Sequence, residues 1–374
     1  MTVAFIADVH VGNMGVFGGP LRAGVNDRAR YTLAVLERAV SRAEDLGADT
    51  LVIAGDLFDV DHPSPQILAE TIAVLGERLR VIAVVGNHDQ RSATPGDHAL
   101  APLAAVGTVT VLDAPTVLPL SAGLYLLAVP FRRDPAAEYL PDVVRFLRAR
   151  LPPDARAIVA AHAGLSDART PAFLLGAHDA LPAADVLDLL AEDPRTFAAV
   201  VGNWHGAETW TRPSPAGEIR AEQCGALVPT GFNNPGGEGY GALVLYDPEA
   251  DHWHRETLTG PRFYLLAGDL DTGRAELAAA EANAHAEPLF VSWKLPPETD
   301  REAAAALLRA SRAQGWRLQR DTRAAARQSS AAGAKARAEG TVEAAAAAYV
   351  QAMPLPPRVE RARVLSLVRG FLGL

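Results

Sequence analysis

Five short apolar runs, at residues 3–7, 51–54, 81–85, 157–161 and 198–201, each give way at once to glycine or a polar residue. Runs of this length rich in Val, Ile and Ala read as strands buried on both faces, because a covered parallel strand has no solvent side to make polar. Longer segments with helical period lie between them. Residues 28–46 place Tyr31, Val35, Leu36, Ala39 and Ala43 on one face and stop at Gly47, and residues 65–79 open on Pro65. Strand alternating with helix predicts an α/β architecture.

The texture changes near residue 218. Residues 225–239 are rich in turn formers, and 240–246 and 253–258 read as strands joined by the turn at 247–251. That pattern suits a mixed or two-sheet core. From 261 a β-α-β-α-β unit is predicted, with strands at 262–266, 289–293 and 316–320 and helices at 272–284 and 301–314. Residues 328–340, dominated by Ser, Ala and Gly, read as a linker. Two helices follow, at 341–353 and 358–372, split by Pro354, Pro356 and Pro357. The expected organisation is a main domain at 1–260, a small α/β cap at 261–327, the linker at 328–340 and a C-terminal helical segment at 341–374.

Composition narrows the class. The chain has 374 residues, 49% of them apolar, which is enough for a large buried core. No apolar stretch approaches the roughly 20 residues of a membrane span, so no membrane partner is expected. The opening MTVAFIADVH lacks a basic leader and reads as a first strand, not a signal peptide. Cys224 is the single cysteine, so no intrachain disulfide can form and a cytoplasmic location is expected. The net charge of −9 argues against nucleic acid held by bulk charge, though not against nucleic acid gripped by metals and a local basic patch.

The chemistry lies where the strands end. The five runs lead into Asp8-Val9-His10, Gly55-Asp56-Leu57-Phe58-Asp59, Gly86-Asn87-His88-Asp89, His162 and Gly202-Asn203-Trp204-His205. Strand C-termini are where α/β sheets gather their sites. Taken singly, each group is an ordinary turn signal. Together they bring carboxylates, imidazoles and amides to one edge. Mixed Asp, His and Asn donors suit Mn²⁺, Fe or Zn²⁺ better than Ca²⁺, and no thiolate cluster points to a zinc finger. Seven candidate ligands exceed the need of one ion. Two ions sharing a bridging carboxylate would use them all, an arrangement suited to phosphoester hydrolysis.

The ordered set D-x-H, G-D-x-x-D, G-N-H-D, H and G-x-x-H resembles that of the calcineurin-like metallophosphoesterases, over roughly residues 1–260. The resemblance implies a two-sheet β-sandwich flanked by helices. It also implies that Asp8, His10, Asp56 and His205 hold one divalent ion and that Asp56 bridges. Asn87, His162 and Asn203 would hold the second ion. His88 would be the catalytic histidine, with Asp59 orienting it. The family has histidine where this chain has Asn203. An amide oxygen is a weaker and harder donor, which implies looser binding of the second ion and a preference for Mn²⁺ or Mg²⁺.

Within that family the chain looks most like the SbcD-type DNA repair nucleases. It shares the GDLFD and GNHD motifs, a Gly-rich loop at 12–24, and a stretch at 224–232 similar to G-S-x-x-P-x-x-F. It also shares the order of catalytic domain, cap and tail. The resemblance implies two Mn²⁺ ions, exonuclease and endonuclease action on DNA, and a homodimer partnered by an SbcC-like coiled-coil ATPase through the C-terminal helices. The cap's Arg301, Arg309, Arg312, Arg317, Arg320, Arg323 and Arg327 offer a phosphate-gripping surface. The tail carries two apolar stripes. Val342, Ala346, Tyr349, Val350 and Met353 form one, and Val364, Leu365, Val368, Phe371 and Leu372 the other. Two other readings use the same residues: a phosphoesterase acting on small molecules or proteins, and a weakly catalytic DNA-end-binding scaffold.

Overall fold

The computed structural model describes residues 1–15, 17–76, 78–170, 177–232, 240–320, 350 and 362–364. The linker and C-terminal helices read from the sequence, and Arg323 and Arg327, fall outside these residues, apart from 350 and 362–364.

Two six-stranded sheets form the frame. The first runs in the order β14 (His252–Thr257), β13 (Ala242–Asp247), β1 (Thr2–Ile6), β2 (Ala48–Ala54), β3 (Arg80–Val84), β4 (Val109–Leu112). Strands β1 to β4 are parallel, and the β13–β14 hairpin joins antiparallel. The second sheet runs β11 (Glu208–Ser214), β12 (Gly217–Gln223), β10 (Thr196–Gly202), β7 (Arg156–His162), β6 (Leu124–Val129), β5 (Thr116–Ser121). Its four central strands are parallel.

Side-chain alternation assigns each face. Val3, Phe5 and Ala7 meet Leu126, Ala128, Ile158, Ala160, Ala198 and Val200 of the other sheet in one buried cluster. Ala4 and Ile6 turn outward, onto Val35, Leu36, Ala39 and Val40 of α1 (Asp27–Asp45). Helices α2 (Pro65–Leu75) and α3 (Ala101–Ala105) cover the rest of that outer face. Helices α4 (Ala136–Arg148) and α5 (Ala183–Ala191) cover the second sheet. The two-sheet sandwich flanked by helices expected from the sequence is what forms. Each large apolar side chain in these layers contributes about 1.5–3 kcal/mol by burial.

Local signals set the helix ends. Asn26 caps α1 by accepting from the Ala29 N–H at 2.9 Å, and Ser64 caps α2 by accepting from Ile67 at 3.3 Å. Helix α2 stops earlier than the sequence pattern suggested, because Gly76 takes a φ of +52°.

A short parallel pair, β8 (Gly164–Ser166) with β9 (Ala180–Pro182), follows the second sheet's β7. Towards the C-terminus β15 (Arg262–Ala267), β16 (Leu289–Leu295) and β17 (Gly315–Arg320) make a three-stranded sheet in that order. Helices α6 (Leu270–Ala284) and α7 (Arg301–Ala310) connect them in sequence.

The chain divides into two compact units. One comprises Met1–Leu265, Leu277–Ser292 and Leu308–Trp316, and the other Leu266–Glu276, Trp293–Leu307 and Arg317–Leu374. In the second, the Trp293 indole N–H donates to Gly268 at 3.1 Å, and Arg320 donates to the carbonyls of Pro296, Pro297 and Thr299. Among the described residues, no helix is long and apolar enough to cross a membrane.

Candidate metal centre

The C-terminal ends of β1, β2, β3, β7 and β10 meet at one edge of the sandwich. Three strands belong to the first sheet and two to the second, so the site is built across the seam. Hydrogen bonds of Asn203 and His162 tie the sheets there. The Asn203 backbone N–H donates to both oxygens of Asp8, 2.9 Å each. On the other side, His162 Nδ1 lies 2.9 Å from the carbonyl of Ala54.

The backbone turns sharply to bring these side chains inward. Asp8, His10 and Asp56 have φ of 50°, 53° and 53°, and Asn203 has 102°. Non-glycine residues in this region are strained, and such strain gathers at functional sites. Glycines serve where a side chain would collide. A Cβ on Gly55, at φ +93°, would fall 2.0 Å from His162 Nδ1, and one on Gly86 would fall 2.2 Å from Asp56 Oδ1.

Three donor groups converge. Asp8, His10 and His205 form one, His10, Asp56 and His88 another, and Asp8, Asp56 and His162 a third; within each, the ligand atoms lie within 4.8 Å of one another. His10 and His205 approach Nε2 to Nε2 at 3.2 Å. Asp56 Oδ2 lies 3.3 Å from His162 Nε2 and 3.7 Å from His10 Nε2, which puts Asp56 between the groups. Asn87 Oδ1 lies 2.8 Å from His162 Nε2.

These residues fit divalent ions. The carbonyl of Ala54 can only accept, so His162 carries a proton on Nδ1 and turns Nε2 toward two oxygens, from Asn87 and Asp56. A nitrogen lone pair facing two oxygens is repulsive unless a cation lies among them. Without metal a second proton serves. Burial alone would lower the His162 pKa, but the Asp56 carboxylate outweighs it and raises it. Asp56 responds in kind: burial opposes its charge, yet His162, His10 and His88 hold it well below the usual carboxylate range.

The sequence-predicted residues differ in how they enter the site. Asp8, His10, Asp56 and His162 are buried. Asn87, Asn203 and His205 are half-buried, and His88 is exposed. The backbone N–H of His88 donates to Asp56 Oδ1 at 2.9 Å. Its Nδ1 meets the backbone oxygen of Asp59 at 2.8 Å, and the Asp59 carboxylate lies 3.5 Å from His10 Nδ1 instead. Asp59 thus touches His88 through its main chain. The Asn203 amide nitrogen donates to Asp179 at 2.7 Å.

Two carboxylates escape the sequence pattern. Asp179 is one. Asp89 is quoted in the motif, but its task is visible only in the fold: buried, it accepts from the N–H groups of Leu57, Phe58 and Gly86 and so joins the loops after β2 and β3. Burial and nearby Asp56 raise its pKa, and the N–H donors of Phe58 and Gly86 pull it back.

The calcineurin-like phosphoesterase family model matches residues 1–214. The chain belongs to the calcineurin-like phosphoesterases. The phosphoesterase is 41% identical over 96 residues to the DNA double-strand break repair protein Mre11 of Archaeoglobus fulgidus, a match covering 25% of this chain and 20% of that protein. It is 30% identical over 95 residues to the Mre11 protein of Methanopyrus kandleri, covering 24% and 20%. Among solved structures, TT1561 of Thermus thermophilus aligns with TM-score 0.42 and 15% identity over 68% of this chain and 98% of its own. A dimetal phosphatase from Danio rerio aligns with TM-score 0.42 and 13% identity over 66% and 95%.

Proposed function

We propose that this phosphoesterase is a Mn²⁺-dependent DNA nuclease subunit of the SbcD type that hydrolyses phosphodiester bonds during end processing, repair or recombination. The observation that carries the reading is the convergence of Asp8, His10, Asp56, His162 and His205 from two sheets onto one edge, beside an exposed His88. The similarity to two Mre11 proteins favours DNA over other phosphoesters.

Asp8, His10, Asp56 and His205 would hold one ion. Asn87, His162 and Asn203 would hold the other, with Asp56 shared. Bound there, divalent ions neutralise charge on phosphate oxygens and make water a stronger nucleophile. The protein supplies the rest. The seam fixes donors from both sheets before substrate arrives. The Nδ1–H of His88 donates to the Asp59 carbonyl, so Nε2 is left to face the substrate, and from the doubly protonated imidazolium the Nε2 proton would pass to the departing oxygen. Residues 261–327 would contact DNA through Arg301, Arg309, Arg312, Arg317 and Arg320. The segment at 341–374 would dock on an SbcC-like ATPase in a cytoplasmic homodimer.

The test is hydrolysis of a linear duplex DNA and of bis-p-nitrophenyl phosphate with added Mn²⁺, beside His88→Ala. DNA cleavage that disappears in the variant supports the proposal. Cleavage of the small diester alone moves the substrate to small molecules. Tight DNA binding without cleavage of either makes the protein a scaffold.

A further inference from the structure

Asn203 replaces the histidine that the family carries, and an amide is an ambiguous ligand. One end donates and the other accepts, and a half-turn exchanges them. Only the oxygen end can bind a cation. Something must therefore select the orientation.

Asp179 makes that selection. The Asn203 Nδ2 donates to Asp179 Oδ2 at 2.7 Å. A carboxylate cannot donate, so it takes the NH₂ end and rejects the flipped amide. The Asn203 backbone is held independently by the paired bonds to Asp8.

Asp179 is itself positioned by the elements that deliver the metal ligands. Strand β8 begins just beyond His162, and the Gly164 N–H donates to the Asp179 carbonyl at 2.9 Å. Gly164 pairs with Ala180 in the β8–β9 ladder. On the other side of Asp179, the Ala136 N–H at the start of α4 donates to the His178 carbonyl at 2.7 Å. The chain that carries His162 into the site thus also sets the carboxylate that orients Asn203.

We infer that Asp179 is a positioning residue for the second divalent ion, holding the Asn203 amide so that its carbonyl oxygen serves as ligand in place of imidazole. The inference rests on the two-ion reading above. The added negative charge, one residue removed from the ion, offsets the weaker donor and favours a hard cation such as Mn²⁺ or Mg²⁺.

Calorimetric titration of the metal-stripped full chain with MnCl₂ tests it. Wild type is expected to take two ions. Asp179→Ala should weaken the second by about 10–100-fold, the usual cost of losing an outer partner of a ligand, and leave the first within about threefold. Asp179→Asn keeps an acceptor oxygen in the same volume and should lose less. Asn203→His in the Asp179→Ala background should recover the second ion, because an imidazole nitrogen needs no amide orientation. A wild type that takes one ion overturns both the two-ion reading and this inference. Wild-type affinity for the second ion in Asp179→Ala overturns the inference alone. So does a double variant that fails to recover. Should Asp179→Ala lose the first ion as well, Asp179→Asn decides: a second ion retained within about tenfold supports the inference, and one weakened as far as in the alanine variant overturns it.

Discussion

The Nδ1 of His88 lies 2.8 Å from the backbone oxygen of Asp59, while the Asp59 carboxylate faces His10 Nδ1 at 3.5 Å. Main chain and side chain of one residue therefore serve different histidines. Asp59→Ala keeps the carbonyl and should keep His88 in place. Its expected effect is a 10–100-fold rise in the Mn²⁺ concentration needed for half-maximal rate, with kcat at saturating metal within about tenfold of wild type. His88→Ala should show the reverse, a kcat lower by about 10²–10⁴ at unchanged metal demand. Hydrolysis of a small diester across a Mn²⁺ series separates the two.

Metal should stabilise the fold. Asp8 and Asp56 are buried together, at 0% and 2% exposure, and a cation relieves their repulsion. With free Mn²⁺ at about 100 times its dissociation constant, each ion adds about 2.7 kcal/mol to the unfolding free energy. Differential scanning fluorimetry should show a melting temperature that rises with Mn²⁺ and returns on adding EDTA. An Asp56→Asn variant should lose most of that rise.

Gly55 is expected to tolerate nothing larger. Its left-handed φ and the His162 ring against its Cα both oppose a methyl group. Gly55→Ala should cost about 1–3 kcal/mol in urea unfolding and displace His162. A variant of wild-type stability with both ions bound would contradict this account.

Cys224 should be chemically silent in the native protein. Burial, with the neighbouring Glu222 carboxylate, raises its thiol pKa well above the usual value. A raised pKa keeps the neutral thiol at pH 8, where the unfolded chain is already partly thiolate. Ellman's reagent should find no reactive thiol until urea is added, and then one per chain.

The candidate ligands were legible in the sequence because buried parallel strands must be apolar throughout. The first polar residue after each run, at Asp8, Asp56, Asn87, His162 and Asn203, then stands out. The same logic hides β11 and β12. Strand β11 has no buried residue, only half-buried and exposed ones, and contains Pro213, and β12 ends on the buried pair Glu222 and Gln223. Arg28 opens the helical segment read at 28–46 and is 1% exposed. Its guanidinium lies 4.6 Å above the Phe263 ring and donates to the Thr230 carbonyl, partners too far along the chain for any local pattern to show. Asp179 is hidden for a related reason. The apolar stretch at 172–175 ends three residues short of it, so it does not stand out as the first polar residue after a run, and only the β8–β9 pairing brings it to Asn203.

Because the donors come from two sheets joined at the seam by the Asp8–Asn203 and His162–Ala54 bonds, the centre works as an alignment gauge. A slip of one residue along a strand moves a side chain by about 3.3 Å and turns it to the opposite face. That is enough to separate His162 from Asp56 or His205 from His10. On the proposed two-ion reading, ion occupancy would report whether the two halves of the sandwich have closed in register.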